Sequence, residues 1–286
     1  MRAELKELWR FRELLATMVE RELKIRYRNS LLGFFWSLIN PLVTVLVLTV
    51  VFRFFYGNDT PNFTAYILAA YLPYMFFQFA ILDSAQSILI NAPLIRKIYF
   101  PREILPLASV IGNFIHFMLA LGVFFVYLLC VYLLFPEINP FQIGALMLPV
   151  LLVLGFAFAA GFGLIVSALN TFYEDVKYLV SVLLYLMFFL CPIFYFIENV
   201  IYAPQIPEEY RAVVYYVYTS NPLANLCVMF RKFLLAPQPV NVNGVRMEAT
   251  PIDWMMFGVT AATCFGILIL GYHVFNRMKW RFVERP

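Results

Sequence analysis

The feature that most constrains this chain is the length of its stretches without lysine or arginine, which run from 54 to 95, from 103 to 176 and from 178 to 210. A helix that spans a bilayer needs about 20 mainly apolar residues, so each stretch has room for one or two spans. The 286 residues are 63% apolar and only 13% charged, whereas about a quarter of the residues in a soluble domain are charged. The sequence therefore predicts an all-α integral membrane protein.

Six stretches have the length and apolarity of a membrane span. Polar, turn-forming residues separate the first from the second (GNDTPN, 57–62) and the third from the fourth (PEINP, 136–140). The six predicted transmembrane helices are 34–56, 65–90, 106–134, 143–168, 178–200 and 253–276.

The positions of the cations predict how these helices are oriented. Residues 1–33 hold eight of the 21 lysines and arginines, and a short charged segment at 91–105 holds three. Residues 169–178 hold one and residues 277–286 hold four. Cytoplasmic segments of membrane proteins are enriched in lysine and arginine. We therefore expect these sixteen cations and both termini in the cytoplasm, with an even number of spans.

Residues 201–235 are apolar enough to suggest a seventh span, but two features speak against one. Asn221-Pro222 would break the helix in its middle, and Arg211, Arg231 and Lys232 lie within or beside it. Each cation near the centre of a spanning helix costs about 2.5–3.5 kcal/mol. We expect two short re-entrant helices on the outer side, acting as a gate; the alternative is a covered loop without a gating role. The candidate gate residues are Tyr215, Tyr218, Asn221 and Pro222.

Residues 1–33 are too charged to span a membrane and lack the apolar segment of a signal peptide. Apolar residues recur at helical spacing, with arginine and glutamate on the opposite face. We expect an amphipathic helix at the cytoplasmic interface, and the pattern leaves open whether it only anchors the chain or also contacts a partner. Its apolar residues are Leu5, Leu8, Trp9, Leu15, Met18, Val19 and Leu23.

Catalytic and metal-binding motifs are missing from the sequence. It contains no G-x-x-x-x-G-K-[ST] motif and so no P-loop for nucleotide phosphates. The four cysteines show no ligand or disulfide spacing, and His116 and His273 stand alone. We expect a transport or scaffold role rather than that of an enzyme, with no metal site. Asp83 lies well inside a predicted span, where either a polar face or proton coupling would account for it.

Four segments, taken together, resemble one known family. They read ELKIRYRNSLLGFFWSLINPL at 22–42, LIRKIYFPREILPLAS at 94–109, YEDVKYLVSVLLYLMFFLCPIFY at 173–195 and NPLANLCVMFR at 221–231. In this order they are similar to the membrane subunit of bacterial ABC-2 type exporters. More narrowly, they resemble the branch that exports lipid-linked polysaccharides such as O-antigen, capsule and teichoic acid.

The resemblance implies a transmembrane domain over 34–278, a cytoplasmic tail over 279–286, and a homodimer in the bacterial cytoplasmic membrane. It also implies two separate nucleotide-binding ATPase subunits, which bind the ATP and Mg²⁺, while this chain binds no cofactor. The N-terminal helix and the loops after spans two and four would contact the ATPase. The implied contact residues are Leu94, Ile95, Arg96, Lys97, Ile98, Tyr99, Phe100, Pro101, Arg102 and Glu103, with Tyr173, Glu174, Asp175 and Lys177.

The implied substrate is an amphiphile with a lipid pyrophosphate end and a long sugar chain. Aromatic rings present flat apolar faces, and tyrosine adds a hydroxyl, so aromatic residues suit the lining of its path. The resemblance places spans one, two and five near the pore, and we expect their aromatic residues to line it. For any one of them, core packing or an interfacial belt is the alternative. The proposed path residues are Phe52, Phe55, Tyr56, Tyr71, Tyr74, Phe77, Tyr185, Phe189, Phe194 and Tyr195.

Three cations near the end of the N-terminal segment, Lys24, Arg26 and Arg28, suit a phosphate-bearing headgroup. Guanidinium groups bind phosphate oxygens in pairs, and either the substrate pyrophosphate or an anionic membrane lipid fits. The alternative function is an ABC-2 permease for a small drug, antibiotic or lipid. A membrane-embedded enzyme of glycan assembly would need a catalytic acid or metal cluster that the sequence does not contain. We expect no nucleic-acid partner.

Overall fold

The computed structural model describes residues 2–27, 35–55, 62–135, 142–242 and 245–283. Within these ranges the chain is helical except for turns and one short hairpin. The helices are α1 (Arg2–Arg10), α2 (Arg12–Tyr27), α3 (Phe35–Val50), α4 (Phe63–Ile90), α5 (Ala92–Ile95), α6 (Ile104–Leu134), α7 (Leu148–Phe172), α8 (Val176–Leu190), α9 (Ile197–Ile201), α10 (Glu208–Thr219), α11 (Pro222–Leu234) and α12 (Trp254–Met278). A π-helical turn (Val51–Phe55) extends α3, 3-10 turns precede α7 (Ile143–Met147) and follow α12 (Lys279–Val283), and β1 (Val240–Val242) pairs with β2 (Val245–Met247) in the antiparallel hairpin.

Four of the described helical segments are long and apolar enough to cross a membrane. They are Phe63–Ile90, Ile104–Leu134, Ile143–Phe172 and Trp254–Phe282, and they coincide with predicted spans two, three, four and six. The chain is therefore a helical multi-pass membrane protein, as the sequence predicts. The count of six spans stays a prediction.

The first and fifth predicted spans differ from these four. α3 has 16 residues and is followed by the π-helical turn of five. α8 has only 15 residues, so the prediction of one continuous helix over 178–200 is wrong. The proline at 192 explains where α8 ends, because its ring disfavours helical dihedral angles in the preceding residue. Cys191 accordingly has an extended backbone, with φ −74° and ψ 141°, and residues 191–196 form a bend before α9, here called the α8–α9 bend.

α4 lies at the centre of the bundle, with α6, α7 and α11 packed around it. In its apolar stretch 78% of the residues are buried, against 22% in α6 and in α12. Aromatic rings fill the space between α4 and its neighbours. Phe76 stacks on Phe117 of α6 with ring centroids 5.1 Å apart, and Phe77 meets Phe158 of α7 edge-on at 5.5 Å. Such pairs contribute about 0.5–1.5 kcal/mol each beyond the area that they bury, so much of the aromatic content of this chain belongs to its core.

Helices α7 and α12 touch backbone to backbone. A Cβ atom at Gly271 of α12 would lie 2.1 Å from the carbonyl oxygen of Gly161 in α7, and one at Gly161 would lie 2.5 Å from the carbonyl oxygen of Ile267. No real carbon and oxygen atoms approach so closely without a bond, so only glycine fits at this crossing. Small residues allow membrane helices to pack at short distance, and these two glycines hold the last helix against the bundle.

The N-terminal segment forms two consecutive helices, α1 and α2, instead of one. α2 packs against α6, and its Met18 and Val19 are buried in an apolar cluster together with Phe275 of α12. Trp9, which belongs to the predicted apolar face, is exposed. The side chain of Leu5 lies outside the described residues. One part of the amphipathic segment therefore packs against the helical bundle, whereas the part around Trp9 is exposed.

We predict that Gly271→Ala lowers the thermal stability of the purified protein, whereas Gly266→Ala on the same helix does not. A methyl group at Gly271 collides with the Gly161 carbonyl, and overpacking of this kind costs about 1–3 kcal/mol. A Cβ atom at Gly266 meets nothing within 4 Å, and alanine is favoured over glycine inside a helix by about 1 kcal/mol. Thermal unfolding in detergent compares the two variants, and equal melting temperatures would contradict the close crossing.

Candidate functional site

Five segments from the beginning, middle and end of the described sequence meet at one end of the bundle. We call this end the terminal face: it comprises α1, α2, the elbow (residues 91–103), the α7–α8 turn (residues 173–175) and the tail (Lys279–Val283). These segments carry most of the lysines and arginines that the sequence singles out. An apolar cluster joins them, and its buried members are Met18, Val19, Ile88, Phe100, Ile104, Leu105, Ala108, Leu164, Ala168, Phe275 and Phe282.

The elbow contains a single short helix. α5 is one turn of four residues with Pro93 in its first turn, and the backbone is irregular from residue 98 to 101. Of the implied contact residues 94–103, only Leu94 and Ile95 are therefore α-helical. Pro101 accounts for this, because it disfavours a helical conformation at Phe100. α6 begins only at Ile104, so the elbow is a compact loop rather than a rod.

Some side chains of the elbow are exposed and others are buried in the subunit. Ile98 is 48% exposed and Tyr99 75% exposed, and the neighbouring Arg96 and Lys97 are exposed as well. Phe100 is buried in the apolar cluster of the terminal face, and its role as a partner contact stays a prediction. The surface that the elbow presents to its surroundings is therefore residues 96–99. The other implied contact residues serve the fold: Leu94 and Ile95 pack partly buried against the same cluster, while Pro101 and Glu103 are buried.

Two elbow residues, Arg102 and Glu103, bind the tail instead of facing outward. Arg102 Nη1 donates a hydrogen bond to the main-chain carbonyl of Lys279, and burial lowers the pKa of the Arg102 guanidinium. Glu103 is fully buried, with Oε1 3.3 Å from Lys279 Nζ. The sequence assigns both residues to the partner contact, whereas the structure uses their charges inside the subunit.

The exposed part of the elbow adjoins the first helix. Tyr99 OH donates a hydrogen bond to Glu7 Oε1 at 3.2 Å, which raises the pKa of Tyr99. α1 and residues 96–99 therefore form one continuous surface. It presents two cations, an isoleucine and a tyrosine, a mixture of charge and apolar area that suits a protein partner.

The α7–α8 turn is the second exposed part of the terminal face. Tyr173, Glu174 and Asp175 are exposed, and Lys177 lies with its Nζ 4.9 Å from the ring centre of Tyr178. Asn170, a buried residue just before the turn, is not among the site residues predicted from the sequence. Its Oδ1 accepts a hydrogen bond from the Lys177 main-chain nitrogen at 3.0 Å, and its Nδ2 donates to the Ala85 carbonyl of α4 at 2.8 Å. The turn is thereby fastened to the central helix.

The proposed headgroup cations are described only in part. Lys24 is exposed, and its Nζ lies 2.5 Å from Glu20 Oε1, one helical turn earlier. The side chain of Arg26 and the whole of Arg28 lie outside the described residues. A phosphate site formed by these three cations therefore stays a prediction.

Three of the proposed path residues belong to the packed core. Tyr71, Tyr74 and Phe77 of α4 are buried, and the Tyr74 hydroxyl donates to the Leu184 carbonyl of α8. α4 is central, and these three side chains pack against its neighbours; their place on the substrate path stays a prediction. The side chain of Phe55 and the whole of Tyr56 lie outside the described residues.

The remaining path residues form a connected aromatic surface, here called the aromatic ledge. Tyr185 and Phe189 are exposed on α8, and Phe52 stacks on Phe194 with ring centroids 5.8 Å apart. Adjacent rings contact one another from Phe52 to the α8–α9 bend. The ledge consists of Phe52, Tyr185, Phe188, Phe189, Phe194 and Tyr195.

Arg231 of α11 holds the α8–α9 bend in place. Its Nη2 donates to the carbonyls of Pro192 at 2.8 Å and Ile193 at 2.5 Å, and its Nη1 donates to that of Tyr195 at 3.0 Å. Its Nε donates to the Tyr66 carbonyl of α4 at 3.1 Å. The side chain is buried, so its bonds to the bend satisfy three carbonyls that a continuous α8 would have paired internally. In the sequence, Arg231 counts only against a seventh span, although it ends the segment NPLANLCVMFR.

A cavity of about 370 Å³ opens beside Arg231. Glu198 is buried at its wall, where its Oε1 accepts hydrogen bonds from the main-chain nitrogen and the hydroxyl of Thr250, at 2.8 and 2.6 Å. Lys232 Nζ donates to the Thr250 carbonyl at 2.9 Å. This polar network binds the segment before α12 to α9 and α11.

The candidate gate residues connect α10 and α11 to the ledge. α10 ends at Thr219 and α11 begins at Pro222, so the two helices meet where the sequence predicts the break. Asn221 Oδ1 accepts the main-chain N–H of Leu223 at 3.0 Å and caps α11. Tyr218 OH is hydrogen-bonded to Tyr195 OH of the ledge, and Tyr215 is half-buried beside it on α10. Re-entry into the membrane stays a prediction.

The other titratable residues singled out by the sequence have ordinary surroundings. Asp83 Oδ2 accepts a hydrogen bond from Asn113 Nδ2 of α6 at 2.8 Å, so it forms part of a polar contact between α4 and α6. The free cysteines are buried at 191, 227 and 264, and Cys130 is exposed. Among the described residues, no group of three histidine, cysteine or acidic side chains is placed to hold a metal ion.

The sequence is similar to one family of membrane transporters. The sequence profile of the family described as "ABC-2 type transporter" matches residues 13–224. Two Klebsiella pneumoniae proteins, each named "O-antigen export system permease protein RfbA", are 29% and 28% identical over 272 residues, which is 95% of this chain and 94% of each relative. A Myxococcus xanthus protein of the same name is 33% identical over 190 residues, 66% of this chain and 71% of that protein.

We predict that Arg231→Lys destabilises the protein far more than Arg211→Lys. Lysine cannot reach four carbonyls at once, and each buried polar group that loses its partner costs about 1–3 kcal/mol. Arg211 forms a surface ion pair with Glu208 at 3.0 Å, and such pairs contribute about 0–1 kcal/mol. Melting temperatures in detergent provide the measurement. A similar loss for both variants would show that Arg231 is not needed to hold the bend.

Proposed function

The chain belongs to the ABC-2 type transporter family, and from this premise we propose that it moves a lipid-linked polysaccharide across the bacterial cytoplasmic membrane. As a family member it is the permease component of a transporter and not a catalytic subunit. The observation that carries the proposal is the similarity over 95% of the chain to proteins named O-antigen export system permeases. We take the substrate class to be a glycan of the O-antigen, capsule or teichoic acid type.

Transport needs an energy source that this sequence does not contain. The absence of a P-loop motif from all 286 residues supports a separate ATPase subunit that binds the ATP and Mg²⁺. We propose an assembly of two copies of this chain with two ATPase subunits. The chain itself would convert closure of the ATPase pair into movement of its helices, as a two-state element biased by a ligand at a distance.

The ATPase is proposed to bind two exposed segments of the terminal face, residues 96–99 of the elbow and residues 173–175 of the α7–α8 turn. Arg96, Lys97, Ile98 and Tyr99 of the elbow provide two cations and two apolar side chains free of contacts with the bundle core. Residues 173–175 provide two carboxylates and a tyrosine nearby. Charges of opposite sign on the two segments give a partner a pattern that fixes both its position and its orientation.

The substrate path is proposed to run along the aromatic ledge, at the interface between two copies. α8 exposes apolar residues such as Leu179, Val182 and Leu186 on the side that bears the ledge. A second copy would cover this face and close the path. Aromatic rings with tyrosine hydroxyls combine an apolar surface with polar tips, which suits the apolar and hydroxyl-bearing faces of a sugar chain.

We predict that Arg96→Glu with Lys97→Glu weakens binding of the ATPase subunit at least about tenfold, since like charges at an interface cost several kcal/mol and each 1.4 kcal/mol is a factor of ten. Both residues are exposed, so membrane insertion and thermal stability stay unchanged. Arg281→Glu, at an exposed position of the tail, is the control. Copurification of the ATPase in detergent measures binding, and full retention by the double variant would rule out the elbow as the docking surface.

We predict that a cysteine replacing Val217 reacts with a membrane-impermeant thiol reagent added to intact spheroplasts, whereas one replacing Lys97 does not. Val217 is 69% exposed on α10, on the proposed outer side, and Lys97 is exposed on the elbow, on the proposed cytoplasmic side. Both would react after the cells are opened. The reverse pattern would overturn the proposed orientation.

The function is tested by deleting the gene. We expect the polysaccharide to disappear from the cell surface and its lipid-linked form to accumulate on the cytoplasmic side. The wild-type chain should restore export, and the double variant at Arg96 and Lys97 should not. Normal surface polysaccharide in the deletion strain, with loss of export of a small amphiphile, would favour the alternative of a drug or lipid permease.

A further inference from the structure

The tail lies inside the terminal face. Lys279 is 8% exposed and Phe282 is 6% exposed, whereas Trp280 between them is 68% exposed and Arg281 is also exposed. The two inward side chains are thus held by the subunit and the two outward ones are not. The tail therefore has one face that packs against the subunit and one face that is exposed.

The ammonium group of Lys279 contacts two segments that are far from the tail in the sequence, the elbow and α1. Its Nζ lies 3.3 Å from Glu103 Oε1 of the elbow and 3.9 Å from Glu4 Oε1 of α1. The main-chain carbonyl of Lys279 accepts a hydrogen bond from Arg102 Nη1, so two successive elbow residues bind this one tail residue. Asn276 of α12 adds a further link, with its Nδ2 3.3 Å from Glu4 Oε2.

The ring of Phe282 contacts a different pair of segments. It lies 5.7 Å from the ring of Phe172, the last residue of α7, and 5.5 Å from that of Phe275 in α12. The Arg102 guanidinium carbon lies 5.9 Å from the same ring centre. Phe172 directly precedes the α7–α8 turn, so Phe282 places the tail between that turn and the elbow.

We propose that these residues form a tail clasp that makes the two ATPase-binding segments move together with α12. The clasp consists of Arg102, Glu103, Lys279 and Phe282, and this inference rests on the proposed function. The clasp residues are positioning residues, because the ATPase would touch the exposed residues 96–99 and 173–175 and not the clasp. If either segment is displaced, the start of α6, the end of α7 and the end of α12 would move together.

The buried ion pair of the clasp is better suited to fixing the relative positions of the segments than to stabilising the fold. A buried ion pair is a poor source of stability, since a well-packed apolar pair of the same volume often stabilises a fold equally well or better. What a buried pair provides is a specific geometry, because each charge must meet its partner. Among the described residues Glu103 Oε2 has no hydrogen-bond partner. This oxygen could therefore accept a different hydrogen bond if the clasp residues change their arrangement during transport.

The test compares two variants that each remove one cation from the same turn of the tail, Lys279→Met and Arg281→Met. Both are purified as the full complex with the ATPase and reconstituted beside the wild type, and ATP hydrolysis and polysaccharide export are measured together. We expect the Lys279→Met complex to assemble and hydrolyse ATP, with export per ATP reduced about tenfold, within the range of about 5- to 150-fold typical of coupling between sites. The Arg281→Met complex should match the wild type.

Equal export per ATP for Lys279→Met and the wild type would overturn the clasp. If Lys279→Met lowers the yield of complex, Phe282→Leu and Trp280→Leu replace the pair. Export per ATP must then fall for the buried position and not for the exposed one, and equal values again overturn the proposal. A wild-type complex that hydrolyses ATP but exports no polysaccharide would instead refute the proposed function, so the two failures are distinguishable.

Discussion

Arg231 donates hydrogen bonds to four main-chain carbonyls, three in the α8–α9 bend and one in α4. A helix that breaks inside a membrane protein leaves carbonyl groups that lipid cannot pair, so protein must supply the donors. The planar guanidinium group is suited to this because it carries five N–H donors in a fixed arrangement. The bend, the aromatic ledge that borders it and the junction of α10 with α11 all depend on this one buried side chain. Their positions relative to the central helix follow from where α11 places it.

The protein therefore has two specialised ends joined by a packed bundle. At one end, charged segments surround an apolar cluster and expose residues for a partner. At the other, broken helices and aromatic rings surround the polar network of Arg231, Lys232 and Glu198. The glycine crossing of α7 and α12 and the central position of α4 leave little freedom for relative motion in between, because close-packed helices transmit displacement rather than absorb it. This division fits a permease, which must convert an event at its ATPase into a change in the path at the far end.

Much of this arrangement could be predicted from composition and spacing. The helices at 63–90, 104–134 and 254–278 follow from long apolar runs, and the break at Asn221-Pro222 follows from the chemistry of proline. The end of α8 at Leu190 could also have been predicted from Pro192, but the apolar run across it concealed the break. The inward roles of Phe100, Arg102 and Glu103 could not be predicted. Arg102 and Glu103 both bind Lys279, which is 177 and 176 residues away in sequence, and periodicity carries no information about such pairs. For the same reason the aromatic residues of α4 could not be divided into core and path.

Transport by purified components tests the central claim most directly. The chain and its ATPase subunit, reconstituted in liposomes with lipid-linked polysaccharide from the same bacterium, would receive ATP on the ATPase side only. We expect ATP-dependent appearance of the sugar chain on the opposite side, detected by a lectin or glycosidase confined there, and no transfer when the ATPase is inactivated. ATP hydrolysis that drives transfer of a small amphiphile, while the polysaccharide stays on its original side, would contradict the account.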